Sequence, residues 1–151
     1  MRALVIFDGD CGLCNGFVAW LITHDPHRCF LIAGSAGEPG RAALEAAGLG
    51  PEIAASTIVV WDGREALVRT DALARIARGL PWPWRAAAAM RVVPHALRDA
   101  AYDQVARRRP RRPADDPACG MPPRDLLDLW RSRLATVEVI AALAASRTPS
   151  T

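Results

Sequence analysis

Lysine is absent from this sequence, and all 19 residues in the lysine-plus-arginine count are arginine. Together with the abundance of alanine, this indicates a bias in genome composition, so the arginine content alone is no evidence for nucleic-acid binding. The formal net charge of +3 is small for a chain of 151 residues. The arginine cluster at residues 107–112 has no aromatic residues among it, and we interpret it as part of a solvated loop.

Long hydrophobic runs are also missing. The longest, at residues 16–23, is far shorter than the roughly 20 residues that a membrane-spanning helix needs. The apolar run that follows Arg2 is interrupted by Asp8 and Asp10, which is not the pattern of a secretory signal. We therefore expect no transmembrane segment and a cytoplasmic location.

Cysteine is sparse, with four residues at positions 11, 14, 29 and 119. This spacing is not that of a small secreted domain held together by disulfides. The hydrophobic fraction of 51% predicts a packed core instead, and a chain of this length fits one domain that folds without disulfide bonds. In a cytosolic protein, two cysteines three positions apart are usually catalytic or metal-binding.

The most informative stretch lies at residues 4–15, where an apolar run ends in Asp8-Gly9-Asp10 and Cys11 and Cys14 follow. Apolar residues then recur at helical spacing, which predicts a helix beginning near the cysteines. The unpaired N–H groups and the positive end of the dipole at a helix N-terminus stabilise a thiolate, the reactive form of cysteine. We predict a redox pair in which Cys11, at the more accessible turn, is the nucleophile and Cys14 resolves the mixed disulfide.

The apolar pattern and the turn residues predict the order of elements along the first 80 residues. Asp62-Gly63 indicates a hairpin turn, Gly48 a left-handed helix cap, and Thr70 a helix N-cap. The predicted elements are a strand at 3–7, a helix at 12–23, a strand at 29–33, a helix from 40 or 41 to 47, hairpin strands at 57–61 and 66–69, and a helix at 70–79. This is the order of the thioredoxin fold, so we predict an α/β protein with thioredoxin-like three-layer α/β/α architecture and a four-stranded mixed sheet.

The chain beyond residue 80 is predicted to be helical. Segments at 85–93 and 94–108 precede a loop at 107–116, and a long amphipathic helix follows Pro122-Pro123. We predict that 81–151 is a helical C-terminal extension packed on a core at 1–80, within a single domain spanning 1–151. Trp82 and Trp84, each flanked by proline, are predicted to pack into the core.

The segment Asp8-Gly9-Asp10-Cys11-Gly12-Leu13-Cys14-Asn15 resembles the motif of the DCC family of thiol-disulfide oxidoreductases, which is named for its aspartate and two cysteines. Three later segments are also similar to that family: Arg69-Thr70-Asp71-Ala72, Val93-Pro94 with Arg98-Asp99-Ala100-Ala101-Tyr102, and Cys119-Gly120-Met121-Pro122. The resemblance covers about residues 3–122. It implies a thioredoxin-like fold and protein-disulfide oxidoreductase activity, with Cys11 and Cys14 as the redox pair.

Two positions depart from the thioredoxin pattern. Thioredoxins place a cis-proline before the strand that faces the two cysteines, whereas Ser56-Thr57 occupies that point here. The proline between the cysteines of many thioredoxins is replaced by the more flexible Gly12-Leu13. These four residues, Gly12, Leu13, Ser56 and Thr57, are the predicted substrate-binding positions.

Asp8 and Asp10 are the predicted catalytic carboxylates beside the cysteines, although each also has a structural interpretation. A carboxylate disfavours a nearby thiolate by like charge, whereas a protonated carboxyl can move the proton during exchange. Asp8 is therefore either an acid/base group or a structural hydrogen-bonding group, and Asp10 either caps the helix or forms the turn. Cys29 is predicted to be buried in a strand, and Cys119 is either an auxiliary redox thiol or a packing residue.

Two other classes of function use the same residues. One is a thioredoxin-like module that binds a partner or zinc without turnover. A zinc site needs ligands besides the two cysteines, and zinc ligands usually lie on tight knuckles, whereas a whole helix separates His24 and His27 from Cys14. The run Phe7-Asp8-Gly9-Asp10 also resembles the first motif of haloacid-dehalogenase-type phosphatases. That chemistry commonly uses a lysine, which is absent here, and the later acidic pair, Asp115-Asp116, lies in a proline-rich loop.

The favoured function is therefore a thiol-disulfide oxidoreductase that reduces or exchanges disulfides. Its expected partners are a protein or small-molecule disulfide substrate and an electron-donating thiol system, without nucleic acid. We expect no cofactor and no bound metal.

Overall fold

The computed structural model describes residues 2–108, 122 and 124–146. Within them, four strands form one sheet in the order β2-β1-β3-β4. β1 runs parallel to β2 and antiparallel to β3, and β3 and β4 form an antiparallel hairpin, so the sheet is mixed as predicted. The strands are β1 (Ala3–Phe7), β2 (Phe30–Gly34), β3 (Val59–Trp61) and β4 (Ala66–Val68).

Helices connect and flank the strands. A 3₁₀ helix at Trp84–Val92 follows the fourth α-helix, and a short one at Arg124–Leu126 precedes the sixth. The α-helices are α1 (Gly12–Thr23), α2 (Glu38–Ala46), α3 (Pro51–Ser56), α4 (Arg69–Gly79), α5 (His95–Arg107), α6 (Leu127–Arg133) and α7 (Val137–Ala145).

The central strand β1 is buried along its whole length, because helices cover both faces of the sheet. Alternate side chains of a strand lie on opposite faces. Val5 and Phe7 pack in a core cluster with residues of α1, α4 and α6, whereas Leu4 and Ile6 pack in a second cluster with residues of α2, α3 and α7. The predicted thioredoxin-like α/β/α layering and helical C-terminal part are therefore confirmed.

Local predictions in the first 80 residues differ from the structure at several points, among them β3, which begins at Val59 rather than at residue 57. β2 begins at Phe30 rather than at residue 29, and α2 begins at Glu38, ahead of the predicted start. The short helix α3 was not predicted, since its six residues carry too little periodic pattern. Gly48 has the expected left-handed conformation, with φ of 73°. Thr70 does not cap α4, because its hydroxyl donates to Asp99 Oδ1 at 2.7 Å instead.

The single long C-terminal helix predicted after Pro122-Pro123 is wrong. The chain leaves α6 at Leu134, which forms a parallel bridge with Ile32 of the edge strand β2. The N–H of Ala135 donates to the Ile32 carbonyl at 2.9 Å, and Thr136 Oγ1 then caps α7 by accepting from Val139 N–H. The unpaired backbone groups of an edge strand bind an extended segment, and this outweighs the helical preference at this point.

The prediction that both proline-flanked tryptophans enter the core is also wrong. Trp82 is 79% exposed, and the inward contact of this segment is made by Trp84, which meets the Trp20 ring edge-on with centroids 4.9 Å apart. Among the described residues, none of the helices combines the length and hydropathy required to cross a bilayer.

Candidate active site

The turn between β1 and α1 is held by hydrogen bonds around Asp8. Its carboxylate accepts from the Asp10 N–H at 3.0 Å, and its carbonyl accepts from the Cys11 N–H at 3.2 Å. Asn15, one helical turn further on, donates from Nδ2 to the Gly9 carbonyl at 2.7 Å. These bonds agree with the structural interpretation of Asp8 and the turn interpretation of Asp10. A role for either carboxylate in proton transfer stays a prediction.

Cys11 is the N-cap of α1. Its Sγ accepts a hydrogen bond from the Cys14 N–H at 3.3 Å, so the cap is this sulfur rather than the carboxylate of Asp10. A sulfur in this position faces the unpaired N–H groups of the first helical turn, which favour negative charge. The predicted strand-to-helix placement of the cysteine pair is therefore confirmed.

The expected difference in accessibility between the two cysteines is not observed. Cys11 is 2% exposed and Cys14 is 3% exposed, and both belong to the core cluster on this face of the sheet. Of the residues between them, Gly12 is half-buried, whereas Leu13 is 47% exposed. The argument for Cys11 as the nucleophile therefore depends on the cap hydrogen bond and no longer on access.

Thr57, at the position where thioredoxins carry a cis-proline, is buried, and its hydroxyl bonds to other groups of the protein. Its Oγ1 accepts from the Arg69 N–H at 3.1 Å and lies 2.7 Å from the Tyr102 hydroxyl. The preceding residue, Ser56, is exposed, and its hydroxyl donates to the Ile53 carbonyl. Of the two predicted substrate-binding residues here, Ser56 is therefore the one at the surface, whereas Thr57 joins α5 to the start of β3.

Further polar contacts join α4 to α5 next to Thr57. Thr70 donates to Asp99, and Arg98 Nη1 donates to Asp71 Oδ1 at 3.2 Å. Burial raises the pKa of Asp99, but the hydrogen bond from Thr70 and the charges of His95 and Arg69 outweigh it, so that this pKa lies below its ordinary value. Arg69 itself has a φ of 53°, in the left-handed region that non-glycine residues seldom adopt.

A cavity of about 470 Å³ lies beside the cysteine pair, between α1 and α5. Its walls are predominantly apolar, and Cys14 forms part of them together with Leu13. Ile58, at the end of the loop opposite the cysteines, lines it as well. The remaining lining residues are Phe17, Thr70, Leu73, Met90, Arg98, Ala101, Tyr102, Val105 and Ala106.

The other candidate residues do not join this site. Cys29 is half-buried just before β2, where its N–H donates to Asp25. His24 stacks on Trp20 at the far end of α1, and His27 is exposed. Among residues 2–108, 122 and 124–146, no group of three histidine, cysteine, aspartate or glutamate residues is placed to hold a metal ion. Cys119, Asp115 and Asp116 lie outside the described residues.

Comparison with known proteins agrees with this geometry. Residues 5–114 match the family model described as DCC1-like thiol-disulfide oxidoreductase. The chain belongs to this family. Membership supports a general thiol-disulfide oxidoreductase role for the protein. The match covers both cysteines and the segments that form α4 and α5.

Two curated relatives are similar to this DCC1-like protein. Uncharacterized protein YuxK of Bacillus subtilis (strain 168) is 31% identical over 106 residues, which are 70% of this chain and 77% of that protein. The chloroplastic DCC family protein At1g52590 of Arabidopsis thaliana is 31% identical over 110 residues, or 72% of this chain and 63% of that protein. No solved structure matches the chain significantly.

The sequence alone did not assign the residues that surround the pair to the site. Tyr102 and Arg98 were recognised only as parts of segments similar to the family, and Thr70 only as part of such a segment and as a helix cap. In the structure those two segments bind each other, through Thr70 to Asp99 and Asp71 to Arg98. The signal that could have found them is that the two segments carry side chains able to pair, Thr70 and Asp71 in one and Arg98 and Asp99 in the other.

Proposed function

We propose that this protein is a thiol-disulfide oxidoreductase in which Cys11 is the nucleophile and Cys14 the resolving thiol. The observation that carries this proposal is the Cys11 sulfur at the N-cap of α1, with the Cys14 N–H donating to it at 3.3 Å. The N–H groups of a helix N-terminus stabilise negative charge, and the thiolate is the reactive form of a cysteine. The neighbouring Cys14 is in position to attack a mixed disulfide formed at Cys11.

Substitution of each cysteine tests these roles. We expect Cys11→Ser to abolish exchange with a disulfide substrate, because the thiolate that starts the reaction is lost. We expect Cys14→Ser to accumulate a mixed disulfide on Cys11, because the resolving thiol is lost. Mass spectrometry of acid-quenched reactions measures both outcomes.

Cys29→Ser is the matched control. Cys29 lies at the other end of the sheet, so we expect this substitution to leave the rate of disulfide exchange unchanged. Accumulation of the mixed disulfide in Cys11→Ser rather than in Cys14→Ser would reverse the two roles. Undiminished exchange in the Cys11→Ser, Cys14→Ser double variant would contradict the proposed function.

We further propose that the pair works in the reducing direction in the cytoplasm, drawing electrons from a cellular thiol system. Cytoplasmic glutathione and thioredoxin systems keep dithiols reduced. A pair with a low reduction potential gives its electrons to a disulfide substrate of higher potential. We expect a reduction potential at or below the extracted cytosolic glutathione value of about −220 to −260 mV. Equilibration with glutathione redox buffers measures it, and a value near that of a strong oxidant, about −120 mV, would assign the opposite direction.

A further inference from the structure

Access to the cysteine pair limits which disulfides can react. Cys11 and Cys14 are 2% and 3% exposed, so both sulfur atoms lie beneath the surface. Exchange requires direct contact between the attacking thiolate and a substrate sulfur. A disulfide in a folded protein is surrounded by its own chain and cannot reach this depth without displacement of α1 or the turn before it. A small molecule can reach it wherever a cavity leads to the pair.

The cavity between α1 and α5 is such a route. Its volume of about 470 Å³ falls within the roughly 300–1,000 Å³ of small-molecule sites. Leu13 and Cys14 line it on one side, so it reaches the second cysteine of the pair, whose N–H donates to the Cys11 sulfur. Helix α5 forms the other side with residues at spacings of three and four, which is one face of a helix. Those residues are Arg98, Ala101, Tyr102, Val105 and Ala106.

Each polar side chain of the cavity wall has a partner within the protein, although Arg98 Nε is buried without a hydrogen-bond partner of its own. Thr70 donates to Asp99, Arg98 Nη1 donates to Asp71, and the Tyr102 hydroxyl pairs with Thr57. The positive charge of Arg98 is thereby balanced by a carboxylate. The apolar side chains of Leu13 and Val105, by contrast, remain 47% and 59% exposed, and an apolar ligand would remove them from water.

We infer that the substrate is a small, uncharged disulfide whose aliphatic or aromatic part occupies this cavity. The inference rests on the dithiol function proposed above and adds the class of substrate. It favours a neutral molecule over charged disulfides such as oxidised glutathione, and a small molecule over the disulfides of folded proteins.

The exchange that this arrangement carries out is a two-electron reduction. The Cys11 thiolate attacks one substrate sulfur, the substrate S–S bond breaks, and the other sulfur leaves as a thiolate that takes up a proton. Cys14 then loses its proton and attacks the Cys11 sulfur, which forms the Cys11–Cys14 disulfide and releases the remaining substrate sulfur as a thiol. Two electrons pass from the pair to the substrate, the two protons that the product thiols take up come from Cys14 and from solvent, and an external dithiol restores the pair by the reverse exchange.

Single-turnover oxidation of the reduced full-length protein tests the inference. The probes are lipoamide, a neutral disulfide on an aliphatic chain; lipoic acid, which carries a carboxylate instead of the amide; oxidised glutathione; and insulin. Mass spectrometry after acid quenching follows formation of the Cys11–Cys14 disulfide. Each rate constant is divided by that of dithiothreitol with the same disulfide, which removes differences in intrinsic reactivity.

Two adjacent alanines of α5 supply a matched pair of variants. Both are exposed, but Ala101 lines the cavity and Ala100 does not. We expect Ala101→Trp to slow lipoamide reduction by about tenfold or more, because the indole fills the site, and Ala100→Trp to stay within about twofold of the original protein. Val105→Asp, in the cavity wall, and Gln104→Asp, at the neighbouring position outside it, form a second pair. Their rates of lipoamide reduction are compared in the same way if either tryptophan variant fails to fold.

Normalised rates that favour lipoamide over the other three probes by about tenfold, and that fall in the cavity variants, support the inference. Cysteine-dependent reduction that is faster with lipoic acid, oxidised glutathione or insulin, or equal in Ala101→Trp and Ala100→Trp, overturns the inference and leaves the proposed function standing. Failure of the cysteine pair to react with all four probes overturns the proposed function together with the inference.

Discussion

At the scale of single residues, the structure gives two residues identified from the sequence contacts that the sequence did not show. Cys11, the proposed nucleophile, is also the cap of α1, so a single side chain fixes the helix start and is exposed to its dipole. Thr57 occupies the position in the chain at which a thioredoxin presents proline to its substrate. Here its hydroxyl is used to bind Arg69 and Tyr102 instead.

Removing the Thr57 hydroxyl is expected to lower the free energy of unfolding by more than removing the Tyr102 hydroxyl with which it pairs. Thr57→Val leaves the Arg69 N–H without its acceptor and the Tyr102 hydroxyl without its hydrogen-bond partner, which we expect to lower the free energy of unfolding by about 1–3 kcal/mol. Tyr102→Phe leaves the bond from the Arg69 N–H intact, and we expect about 0.5–1.5 kcal/mol. Urea denaturation measures both values.

Ser56→Ala is the control for this comparison, because Ser56 is exposed and its hydroxyl bonds to the carbonyl of Ile53 within its own helix. We expect a change of no more than about 0.5 kcal/mol. Equal losses in Thr57→Val and Ser56→Ala would show that the buried hydroxyl has no special role. A double variant at Thr57 and Tyr102 whose loss equals the sum of the single losses would show that the two side chains are not coupled.

At the scale of secondary structure, the predictions succeeded where the pattern was strong and local. β1 and α1 begin and end where the sequence predicts, because an apolar β-branched run, a polar turn and a helical repeat follow each other without interruption. The hairpin turn at Asp62-Gly63 is also confirmed, with Gly63 at a φ of 90°. For these elements the local preferences and the tertiary environment favour the same conformation.

Elements were predicted wrongly where a distant part of the chain determines the conformation. The helix expected to run past Leu134 is interrupted because β2 pairs with this segment. Thr70 is drawn from its expected cap position by Asp99, 29 positions away in sequence. In both cases a long-range hydrogen bond outweighs a local preference of a few tenths of a kcal/mol to about 1 kcal/mol.

At the scale of the whole molecule, the C-terminal helices are attached to the core by a buried ion pair. Arg133 donates to the Asp25 carboxylate at 2.6 Å and to the Asp25 carbonyl at 2.7 Å, and both side chains are almost fully enclosed. The same carboxylate accepts from the N–H groups of Cys29 and Phe30 at the start of β2. The family match ends at residue 114, so this attachment lies partly outside it. We propose that residues 1–151 fold as one domain.

Loss of this ion pair is expected to destabilise the whole protein. In Arg133→Met the Asp25 carboxylate, which is 0% exposed, loses its countercharge, and we expect the free energy of unfolding to fall by about 3–5 kcal/mol. Far-ultraviolet circular dichroism and tryptophan fluorescence during urea denaturation measure the loss. If 1–151 is one domain, the two signals shift together in a single transition.

Arg131→Met provides the control in the same helix. Arg131 is 71% exposed and lies 3.9 Å from the fully exposed Asp128, so we expect a change of no more than about 0.5 kcal/mol. Similar losses in the two variants would contradict a structural role for the buried pair. Separate transitions for the two signals would contradict the single domain.

The sequence by itself determined the class of fold, the position of the cysteine pair and the family, because each depends on residues that are close together in the chain. A strand, a turn and a capped helix within residues 3–23 are sufficient to place Cys11 and Cys14 at a helix N-terminus. Tertiary structure alone decided how deeply the two sulfur atoms are buried, that α5 faces them across a cavity, and that Arg133 binds Asp25. Each of these depends on the packing of segments far apart in sequence, and neither residue spacing nor local preference specifies that packing.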